Sequence, residues 1–381
     1  MSWAVPLFAT DLGEEELEAV TRVIKSGWLT MGDETRMFEQ EFAAYLGVKH
    51  AFMVSNCTAA LHLAHHVFGI CRGDEIISPA LTFVATANSI VQTGATPIFA
   101  DVVSTDDLTV SPEEIVAQLS EHTKGIAVMH YGGFACAMDE IMKIARERNL
   151  YVVEDCAHSA GGRFDGRMTG TIGDVGCFSF FSNKNLSTGE GGMLVTNRDD
   201  LAERFRVLRS HGMTTGTLDR HRGHAFSYDV VDCGFNYRSA ELNAALGRVQ
   251  LKKLEAKNKR RRLFMNRYFE QLGNIDGVSP AFDKRRDIEA SACHIMAVVL
   301  NEGIDRAVIM QKMKDQGIQT SIHYRPIHTF SAYRAKGTVC GLDVTDSLTN
   351  RLLTLPLYPA MSENQVDIVV DALRDAMGAV S

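Results

Sequence analysis

Short apolar runs alternate along this chain with longer stretches in which apolar positions recur every three or four residues. The runs are Ala51–Val54, Glu75–Ser78, Thr96–Ala100, Gly125–His130 and Tyr151–Glu154. Between them, Thr58–Phe68, Phe83–Thr93, Ser111–Leu119 and Met138–Asn149 carry a helical period. A strand covered by helices on both sides is buried on both faces and needs no polar alternation. The pattern therefore predicts an α/β fold with a mostly parallel sheet between two helical layers. Val175–Phe181 and Gly192–Thr196 add two strands joined by glycine-rich turns. Ahead of the first strand, residues 11–25 and Phe38–Leu46 read as helices, the first with an acidic opening turn. From Ser239 to Leu272 a long helix is predicted, with Leu242, Ala245, Leu246, Val249 and Leu254 on one stripe. Gly273–Asp287 reads as a hinge or loop. A smaller α+β pattern follows: strand Ala292–Leu300, helix Asp305–Gln316, strand Gln319–Tyr324 and helix Glu363–Ala376. Two domains are expected, 1–255 and 256–381, with the boundary in the 250–280 region.

Composition narrows the class. The 381 residues are 45% hydrophobic and 23% charged, which is ample for a large core and excludes a disordered or fibrous chain. A net charge of −8 leaves no basic footprint for nucleic acid. The one basic run, Lys257–Arg262, reads as a solvated helix face. Eight scattered cysteines without a CxxC pair suggest neither a disulfide framework nor a zinc site, so reduced thiols are expected. His62, His65 and His66 share a helix with no acid or cysteine to complete a ligand set, so no metal is expected. Acids among the first 25 residues stand where a signal peptide needs an apolar stretch, and no apolar run reaches about 18 residues. A cytoplasmic protein without a membrane partner is the expectation.

Four segments carry candidate chemistry. In Ser179-Phe-Phe-Ser-Asn-Lys184, a lysine follows a buried strand and precedes the glycines at 189, 191 and 192. A lysine in a low-dielectric pocket loses its preference for the charged form and can act as an amine nucleophile, although a loop lysine is more often plain surface. In Glu154-Asp155-Cys-Ala-His158, an acid ends a strand where open α/β sheets bind ligands. That acid reads either as a helix cap or as the partner of a pyridine nitrogen. Ser55-Asn56-Cys57-Thr58-Ala59 turns a strand into a helix and offers free N–H groups and a hydroxyl, a phosphate site or an ordinary cap. Phe83, at the next strand end, is either core or a stacking platform. No GxxxxGK[ST] loop, GxGxxG turn or GxSxG elbow is present.

Taken in order, SNCTAALHLA, SPALTFVATANSIVQTGATPIFADV, VEDCAHSAGG, GCFSFFSNKNLSTGEGGMLVTN and GFNYRSAELNAALGRVQL resemble the DegT/StrS-type sugar aminotransferases. The likeness extends from Ser26-Gly-Trp-Leu-Thr-Met-Gly32 to Thr354-Leu-Pro-Leu-Tyr-Pro359. It implies a fold type I enzyme that uses pyridoxal 5'-phosphate (PLP), with a large domain built on a mostly parallel seven-stranded sheet and a small C-terminal α+β domain. Lys184 would hold PLP covalently and move protons. Asp155 would pair with the ring nitrogen, and Phe83 would stack on the ring. His158 would lie near it. Thr58, Ala59 and Ser179 would hold the phosphate, and Asn236 would reach it from a neighbouring subunit, making the functional unit a homodimer.

The same likeness implies amino transfer from L-glutamate, or less often glutamine, to a keto nucleotide sugar. Members that aminate at C4 often carry His in the EDxxH segment and HYxG after the preceding strand. This chain has EDCAH and His130-Tyr-Gly-Gly133, which favours a 4-keto sugar. A 3-keto sugar and a keto-inositol stay open as substrates. A PLP-dependent dehydratase would replace Lys184 by His, and a non-catalytic PLP-binding regulator would be expected to lose Lys184 or Asp155; both residues are present. Phe181 and Cys57 depart from residues frequent in relatives (His and Gly). Arg209–Arg222, polar and glycine-bearing, is guessed to be a substrate loop.

Overall fold

The computed structural model describes residues 3–216, 218, 221, 223, 227–285, 287–334 and 341–378. Helices α1 (Glu14–Ser26) and α2 (Asp33–Leu46) precede strand β1 (His50–Val54). The alternation continues through α3 (Cys57–Val67), β2 (Glu75–Pro79), α4 (Val84–Gln92), β3 (Thr96–Ala100), α5 (Pro112–Ala117), β4 (Thr123–Met129), α6 (Met138–Arg148) and β5 (Tyr151–Asp155). A short hairpin, β6 (Arg163–Phe164) and β7 (Arg167–Met168), leads to β8 (Val175–Ser179), β9 (Gly192–Thr196) and α7 (Asp199–Leu208). Seven strands form one sheet in the order β1-β9-β8-β5-β4-β2-β3. Only β9 runs against its neighbours; the other pairings are parallel. Every residue of β5 and β8 is buried, which is why their sequences show no polar alternation. Register brings Met129, Asp155 and Cys177 side by side at the carboxyl end of the sheet.

Helix α8 (Glu241–Leu272) runs unbroken for 32 residues, about 48 Å at 1.5 Å per residue. Position 255/256, the expected domain boundary, falls inside it. Its first half packs on α1 and α2, and its second half on β10 (Val278–Pro280) and the last helix. The helix is the spine joining the large sheet to the C-terminal unit. That unit holds β11 (Met296–Leu300), α9 (Arg306–Asp315), α10 (Asp343–Leu348), β12 (Leu352–Leu355) and α11 (Glu363–Gly378), with an antiparallel sheet in the order β10-β11-β12.

Several expectations are corrected here. The basic run 257–262 is not a solvated face. Lys257, Asn258 and Arg261 are buried. Arg260 donates to Met361 O at 2.8 Å, Arg261 to His294 O and Leu357 O at 3.0 and 2.9 Å, and Arg262 to Ser291 O at 3.1 Å. These cations hold backbone carbonyls at the seam between the two units. Gln319–Tyr324 is not a strand; it makes a single bridge, Ser321 to Thr354. The third strand is β12, whose ends near Pro356 and Arg351 hid it. Strand β10 lies within the stretch read as a loop. Strand β11 starts only at Met296, because Cys293 takes φ +47° and the chain before it turns. Of the guessed substrate loop 209–222, residues 217, 219, 220 and 222 lie outside the described residues. Arg209 itself is buried, pairs with Glu39 and donates to Met53 O at 2.8 Å, so it braces α2 against β1.

Candidate active site

The carboxyl ends of β4, β5 and β8 and the turns after β1 and β2 enclose a cavity of about 380 Å³. This is where a parallel sheet exposes helix N-termini and leaves strand ends unpaired. Asp155 ends β5 at 2% exposure. It accepts from Thr86 Oγ1 at 2.8 Å and from the Ala157 N–H at 3.0 Å. Burial raises its carboxyl above the usual range, and these donors together with the Lys184 charge pull it back. Lys184 follows β8 on a turn closed by its N–H to Phe181 O at 2.9 Å. Burial lowers its amine to about 8, with Asp155 opposing the shift. A substantial neutral fraction at ordinary pH is what a nucleophilic amine requires.

The glycine cluster has a steric cause. A Cβ on Gly192 would sit 2.5 Å from the Asn56 carbonyl carbon. Only glycine lets β9 press against the turn that opens α3. In that turn Asn56 Oδ1 accepts the Ala59 N–H at 2.8 Å and caps the helix.

Thr58, Phe83, Asp155, His158, Ser179 and Lys184 all line the cavity. Phe83 is 51% exposed, so it is not the core residue its type suggested. Ala59 stands apart: it does not line the cavity, and its N–H is already taken by Asn56. Asn236 does not line the cavity of its own chain. It is exposed, in an antiparallel bridge to Ser210. Phe181, also exposed, lies on the cavity rim. His62 and His65 are tied by Nδ1 to Tyr237 and Tyr151, both at 2.9 Å.

Sequence reasoning missed three groups supplied by the C-terminal unit. Tyr324 and His323 line the cavity, and His294 lies behind Lys184. His158 Nδ1 accepts the Gly132 N–H at 3.3 Å, which places the ring proton on Nε2, 2.7 Å from the Tyr324 oxygen. Tyr324 accepts that proton, leaving its own O–H to donate elsewhere. Burial, then Lys184, lowers His158 well below its ordinary value, so the ring is neutral. The His-Tyr pair at 323–324, read as the end of a strand, was the available signal.

Among the described residues, His130, Glu154 and Cys156 place their ligand atoms within 4.8 Å of one another. They are already satisfied. His130 Nε2 meets Glu154 at 2.9 Å, and Glu154 accepts the N–H groups of Gly170, Ile172 and Gly173 at 2.6–2.8 Å. This buried pair braces β5 against the loop before β8. His130 does not line the cavity.

The model of the DegT/DnrJ/EryC1/StrS aminotransferase family matches residues 10–374. The chain is 39% identical over 382 residues to the spore coat polysaccharide biosynthesis protein SpsC of Bacillus subtilis, covering 98% of this chain and 96% of that one. The aminotransferase TlmJ of Streptoalloteichus hindustanus superposes with a TM-score of 0.91 at 35% identity, covering 98% of this chain and 99% of that one. A candidate sugar aminotransferase of Streptococcus pneumoniae, Spr1654 in its PLP form, gives a TM-score of 0.91 at 26% identity, with 99% of both chains covered.

Proposed function

Because the chain belongs to the DegT/DnrJ/EryC1/StrS aminotransferase family, we propose that it carries PLP at the Lys184 cavity and transfers an amino group from L-glutamate to a 4-keto nucleotide sugar. The observation that carries this reading is the convergence of Lys184 and Asp155 on one cavity at the sheet's carboxyl end. The donor set fits the cofactor: a buried carboxylate for a ring nitrogen, an amine lowered to about 8, an aromatic face, and a helix N-terminus beside two hydroxyls. When bound, PLP supplies an electron sink for the pair released when a carbon–hydrogen bond breaks.

The protein's own residues do the rest. Asp155, held by Thr86 and Ala157, keeps the ring nitrogen protonated. Phe83 covers one ring face. Thr58 and Ser179 hold the phosphate with the N–H groups of the first turn of α3 that no helix bond uses. Lys184 Nζ takes a proton from one carbon and returns it to another, in both halves of the reaction. His158 and Tyr324 line the acceptor side, and the His in EDCAH favours a C4 ketone. Exposed Asn236 serves the cavity of a second copy in a homodimer. SpsC belongs, by its name, to polysaccharide biosynthesis, which suits an amino-sugar product.

The test is amino transfer from ¹⁵N-glutamate to a panel of 3-keto and 4-keto nucleotide sugars, with the labelled carbon located by NMR. Label at C4 is expected. Lys184→Ala should lower turnover by at least about 1,000-fold. Retained transfer in that variant, or label confined to C3, contradicts the reading.

A further inference from the structure

His294 reaches Lys184 from the C-terminal unit, and its neighbours fix which ring nitrogen carries the proton. Asn185 Nδ2 donates to Ala292 O at 2.7 Å and to Asn258 Oδ1 at 2.8 Å. A backbone carbonyl can only accept, so the amide's orientation is set. Asn185 Oδ1 is then left facing His294 Nδ1 at 2.8 Å, and the ring proton must sit on Nδ1. Nε2 therefore presents a lone pair to Lys184 Nζ at 3.5 Å. Arg261 fixes the backbone of the same residue through His294 O.

The ring stays neutral. It is 3% exposed. Burial lowers its basicity most, and the titratable groups that face it are His158, Lys184, Arg261 and His323. The cations among them, Lys184 and Arg261, oppose a further positive charge. The His158 ring lies 4.4 Å away, centroid to centroid.

We propose that His294 is a positioning residue for Lys184, its bare Nε2 taking one hydrogen of the lysine amine and aiming the nitrogen's remaining valences at the cavity. The proposal rests on, and deepens, the reading of Lys184 as the reacting amine. A lysine tip turns freely about its last bond on a flexible four-carbon stem. A single fixed acceptor, built on a chain of oriented amides, removes that freedom without adding charge. The mechanism above uses none of Asn185, Asn258 or His294, yet all three are buried polar side chains, linked in a chain whose last member, His294, meets the amine.

The experiment uses the full chain freed of PLP with hydroxylamine. Lys184 is reductively methylated with formaldehyde and cyanoborohydride across a pH series, and labelling is read by peptide mass spectrometry. In the unmodified chain labelling should rise through a midpoint near pH 8, as the amine is lowered to about 8. His294→Leu keeps the bulk and removes the acceptor for the ammonium form, so the midpoint should fall by roughly 0.5–1 unit. His294→Gln, whose amide oxygen accepts, should restore it. A His294→Leu midpoint equal to that of the unmodified chain, or a His294→Gln midpoint equal to that of His294→Leu, overturns the proposal. Should His294→Leu fail to fold, the ¹⁵N spectrum of histidine-labelled protein decides, with the signal assigned from His294→Gln. An Nδ1–H tautomer supports the inference; an Nε2–H tautomer or an imidazolium at neutral pH overturns it. The labelling needs neither amino donor nor acceptor, so failure of the transaminase reading would show only in the amino-transfer assay.

Discussion

At the scale of single residues, the chemistry turns on which charges are buried with partners. Burial alone would raise the Glu154 carboxyl, but the bond from His130 and the N–H groups of Gly173 and Gly170 hold it below its ordinary value. Its contribution to stability is therefore present above the usual carboxylate range and is lost as pH falls through the lowered folded value. His130 Nδ1 accepts the Cys136 N–H at 3.2 Å, so the ring's one proton sits on Nε2 and is donated to Glu154 at 2.9 Å. Glu154→Gln sets an amide NH2 against N–H donors that the carboxylate now accepts, those of Gly170, Ile172 and Gly173, and should cost about 2–4 kcal/mol in denaturant unfolding. A loss under about 1 kcal/mol would show that these donors do not depend on the carboxylate. Lys184 and Asp155 were legible in the sequence because each follows an apolar run at a strand end. His294 was not, since nothing in ACHIM distinguishes a histidine that faces a lysine 110 positions away from one that fills a core.

At the scale of elements, the alternation of apolar runs and helical periods located the seven-stranded sheet, because buried parallel strands leave a continuous apolar signature. The C-terminal unit was less readable. Its strands are three to five residues long, too short for a period to register, and Pro280 occupies an edge strand where a missing N–H is tolerated. The Lys257–Arg262 run was misread because charge count cannot tell a solvated face from one that grips carbonyls. Glycine is where element and site meet. Gly192→Ala puts a methyl group 2.5 Å from the Asn56 carbonyl carbon, which belongs to backbone and cannot swing aside. The turn that opens α3 must shift, so PLP affinity should fall by about tenfold or more, read by fluorescence titration of the PLP-free chain. Unaltered affinity would mean that this turn does not hold the phosphate.

At the scale of the molecule, one helix and one cavity join the two units. Helix α8 carries Asn258 and Arg261, which hold Asn185 and His294, while Tyr324 bonds to His158 across the cavity. The large unit supplies Asp155, His158 and Lys184, and the C-terminal unit supplies His294, His323 and Tyr324 around them. Neither half has a complete site. Among the described residues no helix is long and apolar enough to cross a membrane. The most direct measurement is the absorption spectrum of the PLP-loaded protein before and after L-glutamate. The account predicts a visible band, lost on reduction with borohydride in a form that maps to Lys184, which glutamate converts to the near-ultraviolet absorbance of the amine form with release of one 2-oxoglutarate per site. A visible band indifferent to glutamate and glutamine, or no band after PLP is supplied, would contradict it.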